Sequence, residues 1–80
     1  MTDASNIHEL IALPDNDETL IRASKISGYT GIARQTHARW RHEGSGPMYV
    51  LLGRRVFYKA GDVRAWINER VRQNTITPLL

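Results

Sequence analysis

The chain has 80 residues, no cysteine, and 11 Lys and Arg against 8 Asp and Glu. One small domain is the upper bound, and a core this size, unstapled, rarely supplies more than about 3–5 kcal/mol. No apolar run approaches the ~18 residues of a membrane span, and the acidic start lacks the basic front of a signal peptide. A cytoplasmic protein is expected, and the lack of cysteine fits a reducing compartment.

Charge is divided along the chain. Residues 1–19 hold five acids and no base, net −5, while residues 20–80 hold all 11 bases and three acids, net +8. A short segment so basic favours a polyanionic partner. It has no basic amphipathic helix with large apolar residues opposite, so nucleic acid is preferred to a membrane surface.

Residues 1–18 form an acidic segment, partly mobile at its start. Ile7, Leu10 and Ile11 are spaced like one helical face, and Pro14 closes the run. This is either a frayed tail with a transient helical turn or a short docked helix. The folded domain spans 19–74, beginning with Leu20 and Ile21 as a short strand. Ala23 to Tyr29 reads as a first helix with Ile26 and Tyr29 inward. Thr30-Gly31 turns the chain into a second helix, Ala33 to His42, making a helix-turn-helix. At about 100° per residue, Ala33, Thr36, Trp40 and His37 share the inner face. Arg34, Gln35, Ala38, Arg41 and His42 share the outer face, with Arg39 on the flank. A wide DNA major groove accepts such a helix. Ala38, small and central, would let it approach the base edges.

Glu43 to Met48 is a loop. Tyr49 to Leu52 and Val56 to Tyr58 are strand-like around Gly53-Arg54-Arg55, and the loop length sets the register. A two-residue loop would put Arg55 on one face with Val50, Leu52 and Phe57. A three-residue loop pairs Leu52 with Val56 and Val50 with Tyr58, which gathers four apolar side chains, and is preferred. It leaves Leu51 and Phe57 outside, side by side. Ala60 to about Gln73 is the last helix, with Val63, Trp66, Ile67 and Val71 as its apolar stripe and Asp62 at its positive end. Trp40 and Trp66 are expected in the core. Residues 75–80 form a tail or a docking strap carrying Ile76, Leu79 and Leu80.

No catalytic constellation is visible, so no enzyme, metal or cofactor is expected. His37 and His42 point about 140° apart on one helix and cannot share a metal. His37 is read as a partly buried core residue.

The order helix, basic helix, short wing, helix resembles the small winged-helix proteins of the phage excisionase and AlpA-like group, related to the DNA-binding head of MerR regulators. The matching residues run from Leu20 to Trp40, with Tyr29, Gly31-Ile32, Thr36 and Arg39-Trp40. They resume at Gly46-Pro47, Leu52-Gly53-Arg54-Arg55-Val56, Tyr58, Asp62-Val63 and Ala65-Trp66-Ile67. About three-quarters of the chain is covered. The family often has Ser or Thr where Ala33 stands, so the usual N-cap is missing. It usually has an aliphatic residue at His37, a larger aliphatic at Thr30, and polar or basic residues at Leu51 and Phe57. The MerR coiled coil is absent, so an effector sensor is not expected.

The resemblance implies an α+β, mainly helical, winged helix-turn-helix that binds double-stranded DNA site-specifically. Members act as recombination directionality factors that bend attachment-site DNA and bias an integrase toward excision. Others regulate transcription, often of an integrase gene. A protein-interaction adaptor without DNA is the alternative from another class. The expected DNA contacts are Arg34, Gln35, Ala38, Arg39, Arg41, Arg54, Arg55 and Lys59. Leu51 and Phe57, covered by Leu79 and Leu80 of the next subunit, would support head-to-tail self-association on DNA, while coverage within the same chain would leave a monomer.

Overall fold

The computed structural model describes the backbone of residues 10–76 and the side chains of residues 10–71. The protein is α+β, with helices packed on a three-stranded antiparallel sheet. Strand β1 (Leu20–Arg22) leads through a 3-10 turn (Ala23–Lys25) into α1 (Ile26–Thr30). Gly31 turns the chain into α2 (Arg34–Glu43). Strands β2 (Val50–Leu52) and β3 (Arg55–Lys59) form a hairpin, and α3 (Ala60–Ile76) follows directly. No helix among the described residues is long and apolar enough to cross a membrane.

The short strand expected at Leu20 is the third member of the sheet, whose order is β1-β3-β2. Ile21 pairs with Tyr58 and turns inward, while Leu20 and Arg22 stay exposed. The core gathers Ile21, Ile26, Tyr58, Ala60 and Val63, with Leu13, Ala23, Tyr29 and Ile67 packed against it. A five-residue helix such as α1 is not stable by itself in water. Burying Ile26 completely holds it in place, an apolar gain of about 1.5–3 kcal/mol.

Helix α2 begins one residue later than expected, with Ala33 as an N-cap that makes no side-chain cap bond. It ends at Gly44 in a Schellman arrangement: Ser45 N–H donates to the Trp40 carbonyl at 2.8 Å, and Gly44 N–H to the Arg41 carbonyl at 3.4 Å. His37 is fully buried, beyond the partial burial expected. Its ring stands edge-on to Trp40, and Trp40 packs on Trp66 with centroids 5.7 Å apart. Both indoles are only half-buried. Val71 departs from the predicted stripe of α3 and is 54% exposed, because the core ends near Ile67 while the helix runs on.

The hairpin loop has two residues, Gly53 and Arg54, and not the three preferred on apolar clustering. Leu52 pairs with Arg55, Leu51 with Val56, and Val50 with Phe57. Gly53 sits at φ 62°, as the first position of the primed turns requires, and those turns match the twist of the flanking strands. The parity of β3 is as expected, with Tyr58 buried. That of β2 is reversed, since one residue of slip exchanges a strand's faces. Leu51 therefore shares the face of Val56 and Tyr58, while Phe57 lies on the opposite face with Val50 and Leu52. The side-by-side Leu51–Phe57 pair does not exist. Leu79 and Leu80 lie outside the described residues, as does Ile7.

Residues 10–19 are an irregular strap that turns over residues 15–18, and Leu10 and Ile11 are not helical. The strap serves the ends of two helices, where backbone groups lack intrahelical partners. Ile11 N–H donates to the Gly28 carbonyl of α1 at 2.8 Å. At the start of α3, Ala60 N–H donates to the Thr19 carbonyl (2.9 Å) and Gly61 N–H to the Asp17 carbonyl (3.0 Å). Arg64 of α3 grips the strap through the Asp17 carboxylate and the Pro14 carbonyl.

Candidate nucleic-acid interface

The outer face of α2 borders a concave hollow of about 480 Å³, lined by Ala23, Ser24, Arg34, Gln35, Ala38 and Arg41. A second hollow of about 210 Å³ adjoins it, lined by Arg22, Ala23, Ser24, Arg55, Val56 and Phe57. Ala23 and Ser24 belong to both. The two make one trough running from the basic helix, across the 3-10 turn, to the hairpin. Each wall follows from local structure. Helical spacing brings Arg34, Gln35, Ala38 and Arg41 to one side of α2. Strand alternation and the two-residue loop set Arg22, Arg55 and Phe57 on the same outer face of the sheet.

The expected contact residues divide into two groups. Arg34, Gln35, Ala38, Arg41 and Arg55 line the trough, and Arg54 stands exposed at the hairpin tip. Arg39 sits on the flank of α2 and pairs with Glu43 at 3.6 Å. Lys59 lies at the far end of β3 from the tip, about 13 Å along at strand rise, and pairs with Glu18 of the strap at 3.1 Å. Neither lines the trough. Arg22, Ser24 and Phe57 do, and sequence reasoning did not select them as contacts. The alternation Leu20-Ile21-Arg22 was the available signal for Arg22, because an inward Ile21 sends its neighbours outward.

Arg41 was expected on the open outer face, but it is half-buried. Its Nη1 donates to the Tyr58 hydroxyl at 2.6 Å, and its guanidinium lies 5.8 Å from the Tyr58 ring and 6.0 Å from the Tyr49 ring. Behind it, His37 has its pKa held below the usual value, first by burial and second by the nearby Arg41 charge. The imidazole is therefore neutral at physiological pH and adds no charge to the trough. His37 is buried and His42 exposed, so the two do not converge.

Comparison with protein-family models, curated proteins and solved structures found no match. The geometry itself must carry the functional reading. A trough of this kind offers hydrogen-bond donors in excess: four guanidinium groups and a carboxamide, with Ser24 between them and no carboxylate in its lining among the described residues. That chemistry recognises anionic oxygens and the acceptors of planar bases.

Proposed function

We propose that this chain binds double-stranded DNA site-specifically, as a winged helix-turn-helix, and acts as an excisionase-like recombination directionality factor. In this reading α1, the Gly31 turn and α2 are the helix-turn-helix, and β2–β3 is the wing. Helix α2 enters the major groove with Ala38 toward its floor. The wing follows the backbone through Arg54 and Arg55. The observation that supports DNA most directly is the basic trough joining the outer face of α2 to the hairpin, with no carboxylate among the described residues that line it. The recombination role rests on the resemblance of the motifs from Leu20 through Ile67, and bending of attachment-site DNA toward excision by an integrase belongs to that role.

Two measurements test it. Footprinting on the attachment region of the source replicon should show protected sites, and adding the protein should raise excision by the cognate integrase. Protection confined to a promoter, with no effect on excision, would reassign the protein as an AlpA-like regulator. If Arg22, Arg34, Arg54 and Arg55 meet phosphates, log K should fall with log salt at a slope of about −3 to −4. A slope near zero would defeat DNA binding and favour a protein-interaction adaptor.

A further inference from the structure

Among the arginines of the trough, Arg41 alone is held by a hydrogen bond from its side chain within the described residues. We propose that Arg41 reads a guanine and that Tyr58 is the positioning residue that aims it. The proposal rests on the DNA-binding reading above.

Tyr58 is completely buried, pairing with Ile21 in the sheet centre. Its hydroxyl is therefore cut off from water and needs a protein partner. Arg41 supplies that partner from α2, across 17 positions of sequence. Were the arginine to swing out, the hydroxyl would be stranded, so the core itself resists the movement. The rings of Tyr58 and Tyr49 confine the guanidinium further. Arg34, Arg54 and Arg55 have no such restraint; their side chains are exposed and make no ion pair or hydrogen bond among the described residues.

That difference matters for recognition. A phosphate contact carries no sequence information and can be met from many directions, so a swinging side chain makes it well. A guanine contact needs both arms of the fork aligned with O6 and N7 in one plane. Arg has five N–H donors. One serves Tyr58, which leaves the fork enough donors for a bidentate contact from the wall of the trough. Arg41 lies one turn beyond Ala38 on the same wall, where the close approach of the helix would bring it to the base edges. The wing then has a second task besides gripping phosphate: its Tyr58 sets the direction of a reader on the helix.

The test measures affinity for the footprinted site, for an unrelated duplex, and for sites carrying 7-deazaguanine at each guanine in turn. Wild type should lose about tenfold or more at one guanine, the size of a bidentate base contact. Arg41→Lys keeps the charge and loses the fork. It should lose more affinity for the footprinted site than for unrelated DNA, and show a smaller penalty than wild type from 7-deazaguanine at that position, because lysine still reaches guanine but lacks the planar fork. Tyr58→Phe keeps the ring and should lose specificity at the same guanine. The double variant should be no worse than Arg41→Lys alone, as expected if Tyr58 acts through Arg41. Indifference of wild type at every guanine would overturn the proposal without any variant having to fold. So would an equal loss on all duplexes in Arg41→Lys, which would make Arg41 a backbone clamp. Unchanged specificity in Tyr58→Phe would overturn the positioning role. Absence of salt-dependent binding by wild type to any duplex would instead remove the DNA reading, and this proposal with it.

Discussion

The buried imidazole of His37 has one hydrogen bond and one bare nitrogen. Thr30 Oγ1 donates to the Ile26 carbonyl (3.3 Å) and accepts from Ile32 N–H (3.2 Å). It also meets His37 Nε2 at 2.8 Å, a contact whose donor and acceptor are set by the ring's tautomer. Nδ1 is left buried without a partner among the described residues. Thr30 and His37 are the two positions where an aliphatic pattern was expected, and the structure pairs them: each polar group makes the other tolerable. Thr30→Val alone should therefore cost about 1–3 kcal/mol by leaving the buried Nε2 without its partner. Adding His37→Leu should restore much of that in urea unfolding. The ring also makes stability depend on pH. Its folded pKa lies below the unfolded value of about 6.5, so the unfolded chain takes up the proton first. Stability is full above pH 7 and declines as pH falls through about 6.5 toward the folded value, by at most about 1.4 kcal/mol per pH unit. A urea midpoint that stays level from pH 7.5 to 5 would contradict this. The double variant should lose that part of the dependence.

Helix α3 is started by the strap before it, and Gly61 is where the two touch. A Cβ on Gly61 would lie 2.7 Å from Asp17 Cβ and 2.8 Å from its Cγ, atoms close to the backbone that cannot swing away. In an open helix Gly→Ala gains about 1 kcal/mol. Here the clash should win, and Gly61→Ala should lower the unfolding midpoint by displacing the strap and its two backbone bonds. The exposed Arg64–Asp17 pair is a weaker tie, since such pairs contribute only about 0–1 kcal/mol. Asp17→Ala should accordingly cost less than Gly61→Ala, and a reversed order in urea unfolding would mean that the carboxylate is the anchor. Helix α2 permits the opposite kind of substitution. Ala38 is exposed, so Ala38→Glu should leave thermal unfolding unchanged and abolish specific DNA binding. Retained binding would show that this face of the helix does not enter the groove.

Across the whole molecule, the division of charge takes on a spatial meaning. Among the described residues of the acidic front, Glu18 meets Lys59 and Asp17 meets Arg64, both away from the trough, so these two carboxylates leave the trough's arginines uncompensated. Replacing Arg34 or Arg55 by Ala should reduce the magnitude of the salt slope of DNA binding by about one each if they contact phosphate. Arg39→Ala and Lys59→Ala should leave the slope unchanged, because those cations lie outside the trough and face their own carboxylates. A slope that drops equally for all four would mean that the phosphates follow a wider path than the trough.

Local chemistry determined much of this protein from its sequence. The spacing of Thr36, His37 and Trp40 marked the inner face of α2, and Arg34, Gln35 and Ala38 its outer face, because helical period is a property of the chain itself; Ala33, read as inward, is instead the exposed N-cap. The glycines at 31, 44 and 53 marked its turns for the same reason. Only the tertiary structure decided the hairpin register. Four apolar residues, Val50, Leu52, Val56 and Tyr58, can be gathered on one face on paper. The paired strand β1 and the two-residue turn at Gly53 instead placed Leu51 across from Val56. Only the tertiary structure showed that residues 10–19 cap two helices, since irregular backbone has no periodic signal. It alone brought Tyr58 under Arg41: the two are far apart in sequence, and neither strand alternation nor helical period links a side chain on one element to a hydroxyl on another.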